Sequence, residues 1–70
     1  MLAQIIGQTI KQRRKELEIT QPDLAELAGV SKNTLYKLER GQGNPSLGIL
    51  AKLSEVLGME LKLEVMKNKL

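Results

Sequence analysis

The sequence has no cysteine and no histidine, and these two absences remove most of the chemistry a small protein can carry. Without cysteine there is neither a disulfide frame nor a thiolate metal site, and without histidine most metal and nucleophile–base chemistry goes as well. No glycine-rich phosphate loop follows a strand; Gln42-Gly43 sits between helices and lacks that spacing. The expectation is therefore a protein that is not an enzyme and needs neither metal nor cofactor. Aromatic residues are almost missing, Tyr36 being the only one. No signal peptide and no apolar run long enough to span a bilayer are visible, which excludes a membrane role and predicts the cytoplasm. Seventy residues allow one small domain whose core contributes on the order of a few kcal/mol, so a monomer would be marginal and oligomerisation is expected. A formal charge of +3 with a pI of about 9.5 permits a nucleic-acid partner and equally fits an ordinary solvated surface.

What is present is organised around Thr20 to Gly41, TQPDLAELAGVSKNTLYKLERG. Thr20 is suited to cap a helix, with Asp23 as a shortened capping-box partner and Pro22 in the first turn, where a missing N–H costs nothing. Leu24, Leu27 and Ala28 give that helix an apolar face, and Gly29 stands where a positive φ is wanted. Val30 can plug the corner. Ser31 then caps a second helix that carries Leu35 and Leu38 inward and leaves Lys32, Asn33, Tyr36, Lys37 and Arg40 on the opposite side. Gly41 ends it. Two short helices joined by a glycine turn, the second with a polar and basic outer face, are a helix-turn-helix pattern.

On Thr20, Gln21, Leu24, Ala25, Gly29, Val30, Ser31, Thr34, Leu35, Leu38, Glu39 and Gly41 the chain resembles the Xre/Cro-type family of phage repressors and bacterial regulators. The resemblance continues through Pro45, Ser46, Leu47 and Leu50 to Gly58. It implies an all-α, compact four-helix lambda-repressor-like domain over residues 1–58; residues 59–70 are read separately, from their own pattern, as a C-terminal dimerisation strand and tail.

The first helix is expected over about Leu2 to Leu17, with Leu2, Ile5, Ile6, Ile10 and Leu17 at helical spacing. Arg14 lies on that apolar stripe, and Glu39 lies on the stripe of Leu35. An isolated charge on a core face is costly, whereas two opposite ones can meet, so an Arg14–Glu39 ion pair is expected to lock the first helix to the third; the resemblance implies the same pair. Lys11, Arg13 and Lys15 complete a basic cluster, either solvated or with one member near a phosphate. Glu18-Ile19 connects to the motif. After Gly41, residues 42–46 form a loop, and Asn44 or Ser46 caps a fourth helix bearing Leu47, Leu50, Leu53 and Leu57 until Gly58 stops it.

Beyond Gly58 the period changes. Leu61, Leu63 and Val65 alternate with Glu60, Lys62 and Glu64, which is a strand pattern. No second strand candidate exists in the chain, so its backbone groups need an outside partner, most economically the same strand of a second copy about a twofold axis. A helical continuation of the fourth helix is the competing reading, and a frayed tail is a third, which the clean alternation argues against. With its terminal strand the chain resembles HipB-like antitoxins, a likeness resting on length and strand position; it implies autorepression and a HipA-type kinase toxin as partner.

A recognition helix presents its N-terminal residues to base edges. Lys32 and Asn33 hold those positions and Lys37 follows one turn on; lysine suits guanine O6 and N7, asparagine adenine N6 and N7. The resemblance implies base contacts at these places, although family members often carry neutral amides where Lys32 and Lys37 stand, so the bases read do not carry over. Tyr36 either packs on a sugar or thymine methyl or covers the edge of the motif. Thr34 faces the groove or its own helix. Gln21, at a helix N-terminus, is well set for a phosphate. The resemblance implies that contact too, with Arg40 as a second, and makes Gln42 to Asn44 candidate phosphate donors; a plain interhelix loop is the other reading.

Together these features predict a dimeric, sequence-specific repressor of double-stranded DNA on an inverted repeat, acting at the nucleoid, with its readout helices about 34 Å apart. It is read as the antitoxin of a kinase toxin–antitoxin operon. Two alternatives stand beside it: a stand-alone phage or bacterial Xre-type regulator, and a protein-binding module using the strand edge with Glu55, Glu60 and Glu64.

Overall fold

Four helices follow one another in the computed structural model, which describes residues 2–66: α1 (Leu2–Glu16), α2 (Gln21–Ala28), α3 (Lys32–Glu39) and α4 (Leu47–Leu57). The last three begin alike. The hydroxyls of Thr20, Ser31 and Ser46 accept from the amides of Asp23, Thr34 and Ile49 at 3.2, 3.0 and 3.1 Å, so the fourth-helix cap is Ser46 and not Asn44.

All four also end alike. A residue in the left-handed region follows each helix, and its amide and the next one return to carbonyls of the last turn, as in the Schellman motif. The residues are Glu18, Gly29, Gly41 and Gly58, with φ of 58°, 70°, 74° and 69°. The closing bonds run from Ile19 to Arg14 at 3.1 Å, Val30 to Ala25 at 3.0 Å, Gln42 to Lys37 at 2.9 Å and Met59 to Ser54 at 2.8 Å. Glycine occupies this conformation without strain; Glu18 is the exception.

Helix α1 packs on α3 and α4, and α2 on the same two. Between them lie Ile10, Leu24, Ala25, Ala28, Leu35, Leu38, Leu50, Leu53 and Leu57, all buried, with Ile6, Ile19, Val30, Ile49, Val56 and Met59 around them. Each leucine removed fully from water contributes about 1.5–3 kcal/mol.

Several residues expected inside are outside. In α1 only Gly7, Ile10 and Arg14 are buried, while Leu2, Ile5 and Leu17 are exposed: at 3.6 residues per turn Ile5 lies about 170° and Leu2 about 110° from the centre of the buried arc, and Leu17 follows the last helical residue, Glu16. Leu27 is 64 % exposed. The buried arc of α2 is Leu24, Ala25 and Ala28, and at 3.6 residues per turn Leu27 lies about 110° from its centre. Leu47 is 77 % exposed; it opens α4, and a helical side chain lies over the turn before it, here beyond the core.

The segment 59–66 forms neither helix nor strand among the described residues. Continuation of α4 is excluded by the left-handed Gly58 and by the Met59 to Ser54 bond that closes the helix. Leu61, Leu63, Val65 and Met66 are exposed. The last part of the expected dimerisation tail, residues 67–70, lies outside the described residues.

Candidate nucleic-acid interface

What α3 shows to solvent depends on what holds it from behind. Glu39, its only acidic residue, is buried together with Arg14 of α1. Arg14 Nε donates to Glu39 Oε2 at 2.7 Å and Nη2 to Oε1 at 3.0 Å, a two-pronged contact, while Nη1 donates to the Ile19 carbonyl at 2.8 Å. The hydrogen bond to Glu39 raises the Arg14 pKa above its ordinary value, against the opposing effect of burial. Gln21 joins them, its Nε2 donating to Glu39 Oε1 at 2.8 Å. One carboxylate thus ties α1, α2 and α3 together, and no buried side-chain polar atom among the described residues lacks a partner.

A second clamp is steric. A Cβ on Gly7 would lie 2.1 Å from the Leu38 carbonyl oxygen, and one on Gly41 would lie 2.7 Å from Gln4 Cγ. The backbones of α1 and the end of α3 therefore approach as only glycine allows. Sequence reasoning missed Gly7; its one signal was a glycine in the middle of an otherwise good helix.

Held in this way, α3 turns Leu35, Leu38 and Glu39 inward and leaves Lys32, Asn33, Tyr36, Lys37 and the following Arg40 exposed. With Glu39 neutralised behind it, this face carries three cations and no acid. Arg40 lies over the Tyr36 ring, 5.4 Å from its centroid, so each orders the other by a cation–π contact. Lys37, Gln42 and Asn44 line one shallow groove with Thr34 and Gly43, which brings the end of the helix and the following loop onto one surface.

Other side chains do different work from that expected. Gln21 is half-buried and gives one amide hydrogen to Glu39, leaving one of its two N–H donors for the outside. The backbone amide of Gln42 is engaged with Lys37 and is no phosphate donor. Thr34 takes the second of its two expected roles and serves its own helix, its hydroxyl accepting from Ser31 at 2.7 Å. Arg13 is partly exposed and is held within the fold, its Nε donating to the Leu57 carbonyl at 2.9 Å, which puts a cation at the negative end of α4, with Glu16 3.4 Å from its Nη1. Lys11 and Lys15 remain exposed.

The model of the helix-turn-helix family matches residues 10–63. SinR of Bacillus subtilis, an HTH-type transcriptional regulator, is 48 % identical over 81 % of this chain and 52 % of its own length. The immunity repressor protein of Bacillus phage phi105 is 43 % identical over 80 % of this chain and 39 % of its own. The chain thus spans about half the length of these relatives, or less. Among solved structures, that of SinR, the master regulator for biofilm formation, in complex with DNA is 50 % identical, covers 79 % of this chain and 89 % of that one, and superposes with a TM-score of 0.74. With the two-helix motif, its buried Arg14–Glu39 anchor and an outward cationic α3 in place, the chain belongs to the Xre-like helix-turn-helix family of transcription regulators, which are not enzymes.

Proposed function

We propose that the chain is a DNA-binding transcriptional repressor that inserts α3 into the major groove and acts by occupying its operator as a twofold dimer. The observation that carries this reading is the exposed face of α3. Three cations and an asparagine project from a helix whose only acid is buried and paired, and a structure of SinR, half identical over the shared region, was solved on DNA. Lys32, Asn33 and Lys37 are assigned to base edges and Tyr36 to a sugar or thymine methyl beside them. Arg40, Asn44, the Gln42 side chain and the second N–H of Gln21 are assigned to phosphates. Residues 1–58 are the binding domain, and Leu61, Leu63 and Val65 the apolar face of a strand that pairs across the dimer. The site of action is then the nucleoid, in the cytoplasm.

Of the two biological settings, a stand-alone regulator is favoured by the likeness to SinR and to a phage immunity repressor. The antitoxin reading, with a HipA-type kinase as partner, rests on chain length and on the position of the exposed, alternating segment 60–65.

Selection of bound duplexes from a random pool tests the proposal, using the full chain and a version ending at Gly58 at two salt concentrations. An inverted repeat enriched by the full chain and lost on truncation supports a dimeric operator-binding protein. Salt-sensitive binding with no consensus would instead make the cationic face a nonspecific one and move protein clamping to first place.

A further inference from the structure

We infer that the C-terminal segment pairs with its copy in one register, antiparallel and centred on Leu63, chosen by the charges on its polar face. The inference rests on the dimer proposed above and adds what that reading leaves open, namely which residues meet. Leu61, Leu63 and Val65 are exposed, and in a strand these alternate positions would share one face. On the intervening positions, Lys62 and Glu64 lie close, Nζ to Oε2 at 3.5 Å, and in a strand they would line the other face.

In an antiparallel pair, residues directly opposite share a face. A register that opposes an even-numbered residue to an odd one would therefore set a charge against Leu61 or Leu63 and bury it, and all such registers are excluded. Among the rest, a twofold axis at Lys62 opposes Lys62 to its own copy and Glu60 to Glu64, so every charged pair is repulsive. An axis at Leu61 opposes Glu60 to Lys62 favourably, but Glu64 would then face Gly58, where α4 has already ended in a left-handed turn, and the ladder stops short. An axis at Glu64 sets that carboxylate against itself.

Only the axis at Leu63 opposes Lys62 to Glu64 twice, Leu61 to Val65 twice and Leu63 to its copy, and it runs the pairing over 60–66 without meeting α4. Each Lys62 then exchanges the neighbour it has on its own chain for the same group on the other. The occupant of this surface is accordingly a second copy of the chain, and a basic or acidic peptide of another protein would not reproduce the set.

The absence of cysteine makes the test clean, since each single-cysteine variant of the full chain carries one thiol. Sedimentation of the reduced proteins reports whether dimers form, and air oxidation followed by a non-reducing gel reports which residues meet. Dimers should form throughout. Leu63→Cys should cross-link to itself, as should an equimolar mixture of Leu61→Cys and Val65→Cys. Lys62→Cys should not, because its copy would be a diagonal neighbour about 7–8 Å away, beyond bridging distance. Lys62→Glu should weaken the dimer about tenfold, and Lys62→Glu with Glu64→Lys should restore it. Dimers that cross-link through position 61 or 62 alone, or that ignore Lys62→Glu, would overturn the register while leaving the dimer standing. A chain that stays monomeric would overturn the dimer reading itself.

Discussion

Adding one methyl group at Gly7 and at Gly48 should change stability in opposite directions. Both glycines sit in helices, α1 and α4, and helix propensity alone favours alanine at either place by about 0.5–1 kcal/mol. At Gly48 the new Cβ would have only Ser46 Oγ near it, at 3.7 Å; nothing opposes the gain, which in a first turn is expected at about 0.5 kcal/mol. At Gly7 it would lie 2.1 Å from a backbone oxygen and 3.3 Å from the Gly41 amide nitrogen, and neither can swing aside as a side chain would. Helices α1 and α3 must separate by about 1 Å, and overpacking of this kind costs roughly 1–3 kcal/mol or more. The separation also stretches the Arg14–Glu39 contact behind it, so the upper end applies, and after the propensity gain a net loss of about 2 kcal/mol is expected. In a domain of this size that lowers Tm by about 8–16 °C, while Gly48→Ala raises it by about 2–4 °C. Thermal and urea melts followed by circular dichroism at 222 nm measure both. A Gly7→Ala protein as stable as Gly48→Ala would refute the close crossing and the rigid seating of α3 inferred from it.

Replacing Glu18 by glycine should stabilise the domain by about 1 kcal/mol, since Glu18 alone among the four helix-ending residues holds a positive φ with a side chain; the same melts read it. Arg14→Ala should cost about 3–5 kcal/mol by leaving a buried carboxylate with Gln21 alone, whereas Arg14→Met with Glu39→Leu should cost far less, a non-additivity that a double-mutant cycle measures. Because pairing with Glu39 raises the Arg14 pKa above the already very high value of a free guanidinium, its share of stability is present throughout the neutral and mildly alkaline range and lost only as pH rises through that raised value. Titration of this guanidinium should therefore add no slope to urea midpoints between pH 7 and 10. Lys37→Ala should lower DNA affinity while leaving the melt unchanged, and a role at a base should appear as relaxed selection at one operator position, costing about 1–3 kcal/mol there, against a uniform loss with a salt slope smaller by about 1 for a phosphate.

The sequence by itself determined where helices start and stop and which way α3 faces. Hydroxyl caps, glycines after the last turn and leucines at helical spacing act within a few residues, so one dimension holds the information. The need for Arg14 and Glu39 to meet is also one-dimensional, because each is a charge on an apolar stripe. Tertiary structure decided the rest. Which apolar residues are covered depends on which arc and which turns of each helix the neighbours cross, and so Leu2, Ile5, Leu27 and Leu47 read as core and lie outside. Gln21 and Arg13 read as surface donors, yet each found a partner on another helix, Glu39 and the Leu57 carbonyl, at sequence distances that no local pattern spans. The value of Gly7 appears only when Leu38 is laid across it. Local chemistry wrote the elements, and the depth at which they cross chose the residues that fix α3 for a groove.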